Sequence, residues 1–273
     1  VCWRCNGGKS RERIRMKRKK KKPLWLKAAL LVGVLLILLM GYQLFRQLDE
    51  YRAGTETYEE ILAVAGGDSR EGGFSPEADA GAEPEYIPPV DFIKLKEINP
   101  DIVGWIVCEG TKINYPVVQG EDNSYYLNHL FDGTVNSSGC IFMDQDNDPK
   151  LGDDNTNLYG HHMRNGSMFA VLEEYKTQAF YEEHPVMMYY TAEHAYEIKL
   201  FAGNIFSGTN ASLPIKFSDK QERQRQIEKW KSDSLFESDV MPEAEDHLIT
   251  LCTCTYNYAN ARYAVFGILE EVM

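Results

Sequence analysis

Between Leu24 and Phe45 the chain reads LWLKAALLVGVLLILLMGYQLF, apolar on every side and broken by one charge, Lys27. Roughly twenty apolar residues rising 1.5 Å each span a hydrocarbon core about 30 Å thick. Lys27 lies near the edge of the run, where its ammonium reaches the interface. The next stretch, RQLDEYRAGTETYEEILAVA (46–65), predicts a helix continuing out of the span, with Gly54 as a weak point. GGDSREGGFSPEADAGAEPEYIPP (66–89) has no periodicity and too few apolar residues to offset the entropy of ordering, so it reads as a flexible acidic tether.

From Val90 onward the pattern shortens. DFIKLKEI (91–98) predicts a short helix stopped by Asn99-Pro100. Brief runs rich in Val, Ile, Tyr and Phe then recur between turn residues. They are IVGWIVCE (102–109), INYPVVQG (113–120), GCIFMD (139–144), NLYGHH (157–162), VMMYYT (186–191), YEIKLFAGNIF (196–206), HLITLCTC (247–254) and RYAVFGILEEV (262–272). Eight such strands predict a mainly β fold, a closed or nearly closed barrel. Two stretches of helical spacing interrupt them. SMFAVLEEY (167–175) follows an Asn165-Gly166 turn. SDKQERQRQIEKWKSDSLF (218–236) is highly charged, with Ile227, Trp230 and Leu235 as a thin apolar stripe suited to lying on a barrel.

Charge divides the chain at the apolar run. Residues 1–46 hold 13 Lys and Arg against one acid, Glu12, whereas the other residues hold 16 Lys and Arg against 40 acids. The cations of MKRKKKKPLWLK (16–27) precede the span, so the positive-inside rule keeps that end in the cytoplasm and puts everything after Phe45 outside. The run is long for the apolar core of a cleaved signal peptide, and no small-x-small site follows closely in YQLFRQLDEYRAG. An uncleaved signal anchor is the expectation. VCWRCNGGKSRERIR (1–15) precedes Met16, which opens an ordinary anchor N-terminus and is the expected natural start. Cys2-x-x-Cys5 is half of a zinc pattern with no second pair.

Four of the six cysteines lie beyond the span: Cys108, Cys140, Cys252 and Cys254. They are too few and too irregular for a disulfide scaffold. Cys108 and Cys140 fit strand packing. The informative stretch is ITLCTCTYNYANARY (249–263). Read as a hairpin, it sets Cys254 at the end of one strand and Arg262 at the start of the next, strands being about 4.8 Å apart. Cys252 shares the face of Cys254, one layer deeper, and Thr253 faces the other way. A fixed cation favours the thiolate and offers donors to an oxyanion. A general acid is available in His161 or His162, at the end of NLYGHH. Two other readings stand beside this one. Cys252, Cys254 and the two histidines form a zinc site in one, although Cys-x-Cys on a strand splays its ligands and Arg262 would repel the metal. In the other the barrel is a non-catalytic peptide-binding module. His129, His184, His194 and His247 have no partners legible in sequence.

These residues carry a resemblance. Thr250-Leu251-x-Thr253-Cys254 with Arg262 eight residues on, and Tyr159-Gly160-His161-x-Met163 upstream, resemble the sortases. NPDIVGWI (99–106), INYPVVQGEDNSYYLNHLFDG (113–133), SGCIFMDQDN (138–147) and the helix at 218–236 are similar to class B members. The resemblance implies a closed eight-stranded sortase-type β-barrel with an N-terminal helix and a long helix inserted between late strands, preceded by one transmembrane helix. The implied organisation is a basic cytoplasmic tail (1–23), a transmembrane anchor (24–45), a helical stalk and linker (46–89) and a catalytic domain (90–273). The implied activity is cysteine transpeptidation at the bacterial cell surface. Cys254 attacks a C-terminal sorting signal of a secreted protein, His161 protonates the departing amine, Arg262 stabilises the oxyanion, and a peptidoglycan amine resolves the thioester. Thr250, Leu251, Cys252 and Thr253 are the implied substrate contacts. The implied partners are the secreted proteins, the wall amine and the membrane, with no nucleic acid, no cofactor and no metal, although QGEDNSYYLNH (119–129) carries acids and amides of the kind that bind calcium. Two positions depart from the family pattern. Cys252 holds a slot usually filled by Ser, and His162 one usually filled by Asn. Family register selects His161 over His162 as the acid.

Overall fold

A computed structural model describes residues 24–66, 86–209 and 213–272. The basic tail, the Met16 start, the Cys2-x-x-Cys5 pair and residues 67–85 of the expected tether lie outside the described residues. α1 (Leu24–Val64) is a single helix. Its segment up to Gln47 is a unit of its own, with Leu30, Leu31, Ile37 and Leu38 exposed. Among the described residues it is the one helix long and apolar enough to cross a membrane.

The second unit starts at Leu48. Gly54 does not weaken α1; it is buried, and a Cβ there would lie 3.0 Å from Ser138 Oγ and 3.3 Å from Asn136 Oδ1. The missing side chain lets the helix press on the 136–139 loop. Asn136 Nδ2 donates to the Glu50 carbonyl at 2.9 Å, and the Tyr58 hydroxyl donates to the Gly139 carbonyl at 2.6 Å. α2 (Phe92–Ile98) is capped by the Asp91 carboxylate, which accepts from the Ile93 and Lys94 amides, each at 3.1 Å. Such a cap contributes about 1 kcal/mol.

Eight strands close a barrel: β1 (Ile102–Val107), β2 (Asn114–Val118), β3 (Ile141–Met143), β4 (Asn155–Tyr159), β5 (Val186–Tyr190), β6 (Ala195–Ser207), β7 (His247–Thr255) and β8 (Ala261–Glu271). Around the ring the order is β1-β2-β3-β4-β7-β8-β6-β5. The β2–β3 and β4–β7 neighbours are parallel and the rest antiparallel. Alternation along each strand sends Leu158, Ile249, Leu251, Tyr263 and Val265 into one core. Their neighbours Leu248, Cys252, Ala264 and Phe266 join a second cluster with Ile227 and Trp230.

Those last two belong to α4 (Lys220–Ser232), whose Trp230 ring stacks on Phe266 with centroids 4.1 Å apart. The expected stripe does not extend to Leu235, which is exposed because the helix ends at Ser232. Phe236 takes its place, buried and stacked on Tyr181 at 4.4 Å. The expected helix at 167–175 is instead a 3₁₀ helix, Phe169–Lys176, followed by α3 (Gln178–Glu183). The cause is visible in the spacing. Phe169, Leu172 and Tyr175 are all buried and fall every third residue, the period of a 3₁₀ face.

Candidate active site

Cys254 lies near the end of β7, directly opposite Arg262 on β8 in the antiparallel register. Alternation gives both residues the outward face shared by Cys252 and Ala264. Among the described residues the four cysteines are unbridged. Cys108, Cys140 and Cys252 are buried, and Cys254 is partly exposed. Burial pushes the Cys252 thiol up to about 12, although the Arg262 guanidinium pulls the other way. Cys252 therefore stays protonated at neutral pH and supplies no thiolate.

β4 brings the histidines to this rim. It runs parallel to β7 with Tyr159 opposite Cys252. The Gly160 amide then donates to the Cys252 carbonyl at 3.1 Å, and the Thr253 hydroxyl donates to the Gly160 carbonyl at 2.8 Å. This stitching carries residue 161 level with Cys254. His161 Nε2–H donates to the Leu127 carbonyl at 2.7 Å. A carbonyl only accepts, so in the neutral ring the proton is on Nε2 and Nδ1 carries the lone pair. His162 turns the other way. Its Nδ1–H donates to the Cys254 carbonyl at 3.0 Å, and its ring lies 5.0 Å from that of Tyr256.

The structure thus brings together Cys254, Arg262 and the end of β4, and separates the other expected positions. Thr250 and Thr253 are sealed from solvent, their hydroxyls bound to Asn155 Oδ1 and the Gly160 carbonyl. Leu251 points into the barrel core. Leu251 and Thr253 support β7 from the inner face, whereas Thr250 and Cys252 share the outward face of Cys254 but are buried there. Nor do the four residues of the zinc reading converge. Cys252 is buried, and the histidines diverge to Leu127 and to the Cys254 backbone. Among the described residues no group of three or more His, Cys, Asp or Glu is arranged to hold a metal.

Sequence reasoning missed the support under Cys254. Lys176 Nζ donates to Glu173 Oε2 at 2.5 Å, Thr255 Oγ1 at 2.8 Å and Asn257 Oδ1 at 2.6 Å. An acid and a base three apart in EEYK hint at a pair, but nothing local says that it sits under a loop some eighty residues away. A cavity of about 440 Å³ lies elsewhere, lined in part by Tyr58, Tyr115 and Met168.

Residues 106–270, more than half of the chain, match the sortase domain family. The chain belongs to the sortase family. Sortase B of Staphylococcus aureus is 35% identical over 188 residues, which is 69% of this chain and 77% of that one. Sortase B of Listeria monocytogenes is 34% identical over 177 residues, 64% of this chain and 72% of that one. The solved Staphylococcus aureus sortase B–substrate complex superposes with a TM-score of 0.64 at 36% identity, covering 67% of this chain and 85% of that one. Sortase B of Bacillus anthracis in complex with AAEK1 gives 0.69 at 30% identity, covering 82% and 99%. The enzyme is therefore a class B sortase, a cysteine transpeptidase built on the eight-stranded barrel expected from its sequence.

Proposed function

We propose that this sortase cleaves a C-terminal sorting signal of secreted proteins and transfers them to a peptidoglycan amine, with Cys254 as nucleophile, Arg262 as oxyanion donor and His161 as proton carrier. The observation that carries the reading is the Cys254–Arg262 pair on β7 and β8, with the end of β4 beside it. The Cys254 thiolate adds to the scissile carbonyl, and charge moves to oxygen. The Arg262 fork meets that oxyanion. Collapse breaks the C–N bond as His161 Nδ1–H gives its proton to the departing amine. The thioester waits for a wall amine, whose attack returns a proton to His161 and the thiolate to Cys254. The anchor segment of α1, with the basic flank before it, supports a single-pass arrangement in which the barrel faces outside.

Intact-mass spectrometry of the full chain in detergent tests this. After incubation with a pool of sorting peptides and no amine, one cleaved peptide adds to Cys254 as an acyl adduct. The adduct is absent in Cys254→Ala and at least ~100-fold slower in Arg262→Ala and His161→Ala. Adduct formation in Cys254→Ala refutes the assignment.

A further inference from the structure

The β4/β7 ladder lacks a rung at the nucleophile. In a parallel pair, carbonyls two residues apart point to the same neighbour. The Cys252 carbonyl takes the Gly160 amide at 3.1 Å, so the Cys254 carbonyl is due the amide of residue 162. β4 has ended at Tyr159, and the chain turns back through a bridge between His162 and Met168, with the Phe169 amide on the His161 carbonyl at 3.0 Å. Met168 is buried with a φ of 57°, a conformation that a side-chain-bearing residue holds only when its surroundings fix it. The rung is filled by the imidazole, with His162 Nδ1 3.0 Å from the Cys254 oxygen.

The imidazole is itself backed by the 3₁₀ helix. Glu173 Oε1 is buried without a hydrogen-bond partner and lies 3.8 Å from His162 Nδ1, while Oε2 holds Lys176. Lys176 reaches on to Thr255 and Asn257. The segment after Cys254 is thus held through its side chains by a cation, and the backbone at Cys254 by an imidazole.

We propose that His162 is a positioning residue for the transpeptidation: its Nδ1–H, backed by Glu173 and Lys176, fixes the Cys254 carbonyl and with it the backbone from which the thiolate projects toward substrate. This rests on Cys254 being the nucleophile. A displacement of about 1 Å at a reacting atom costs up to ~100-fold in rate, so a tie at the nucleophile's own carbonyl bears directly on turnover. Asn supplies the control. Its Nδ2 lies as many bonds from Cα as Nδ1 of His and donates likewise, but an amide carries no proton to a leaving group at neutral pH. A positioning residue is rescued by Asn and a proton carrier is not.

The experiment follows acyl-adduct formation on Cys254 of the full chain by intact mass, with the same peptide pool, in wild type, His162→Ala, His162→Asn and His161→Asn. Amide hydrogen exchange of residues 253–258 is measured in parallel. His162→Ala slows acylation about 10- to 100-fold and speeds exchange at Thr255–Asn257. His162→Asn returns both to within about threefold of wild type, and His161→Asn stays slow. Acylation by His162→Ala at the wild-type rate overturns the proposal, as does His162→Asn being as slow as His162→Ala. If wild type forms no adduct, the nucleophile assignment fails instead. Exchange then decides the tie alone: unchanged protection in His162→Ala refutes it.

Discussion

His247, at the start of β7, has Nε2 2.8 Å from Thr156 Oγ1, and burial pulls its pKa from 6.5 down to about 4. Asp153 and Asp154 act against this shift and Arg223 with it. The folded state therefore binds this proton less readily than the unfolded chain. The neutral imidazole's contribution is complete above about pH 6.5 and is lost as pH falls towards 4, on the order of 2–3 kcal/mol in all. Thermal melting from pH 7 to pH 4 thus falls more steeply in wild type than in His247→Gln; parallel curves refute this. At the same scale, Cys254 and Arg262 were legible because a hairpin needs only local spacing to juxtapose them. The grip of His162 was not, because it depends on pairing between β4 and β7, segments about ninety residues apart. Burial was equally hidden. Thr250, Leu251 and Thr253 look like a motif in sequence but are sealed in the fold.

The elements were readable where one period dominates. All eight strands announced themselves, and their ends moved by a few residues at most. The helical inserts were read less well because apolar residues three apart suit a 3₁₀ turn as well as an α-helix. The junction after α4 turns on Gly203 of β6. Leu235 N–H donates to the Gly203 carbonyl at 2.9 Å, and a Cβ on Gly203 would run into the Tyr263 hydroxyl and lie 2.8 Å from Phe236 Cε1. Both are core side chains with little room to move. Gly203→Ala therefore destabilises the barrel by about 1–3 kcal/mol, read as a lower urea midpoint at unchanged slope. An unchanged midpoint means that Tyr263 yields without cost.

For the whole molecule, the opposition of charge along the chain has a kinetic consequence. The residues after the first 46 carry 40 acids against 16 Lys and Arg. Their field attracts cationic tails and fades at ionic strengths where the Debye length is a few ångströms. A sorting peptide ending in several lysines thus shows a KM that rises several-fold from 50 to 500 mM salt. The same peptide without lysines shows little change. Equal salt dependence of the two contradicts steering.

The ring order fixes a sequence in time. Translation delivers His161 first, then Cys254, and Arg262 after it. β8 must then seat between β7 and β6, pairing with β6 from Tyr196↔Glu271 to Ser207↔Ala261. Until it does, Cys254 has no guanidinium opposite it. A chain without β8 therefore lacks the facing thiol and guanidinium, and the pair is assembled only when that strand closes the ring.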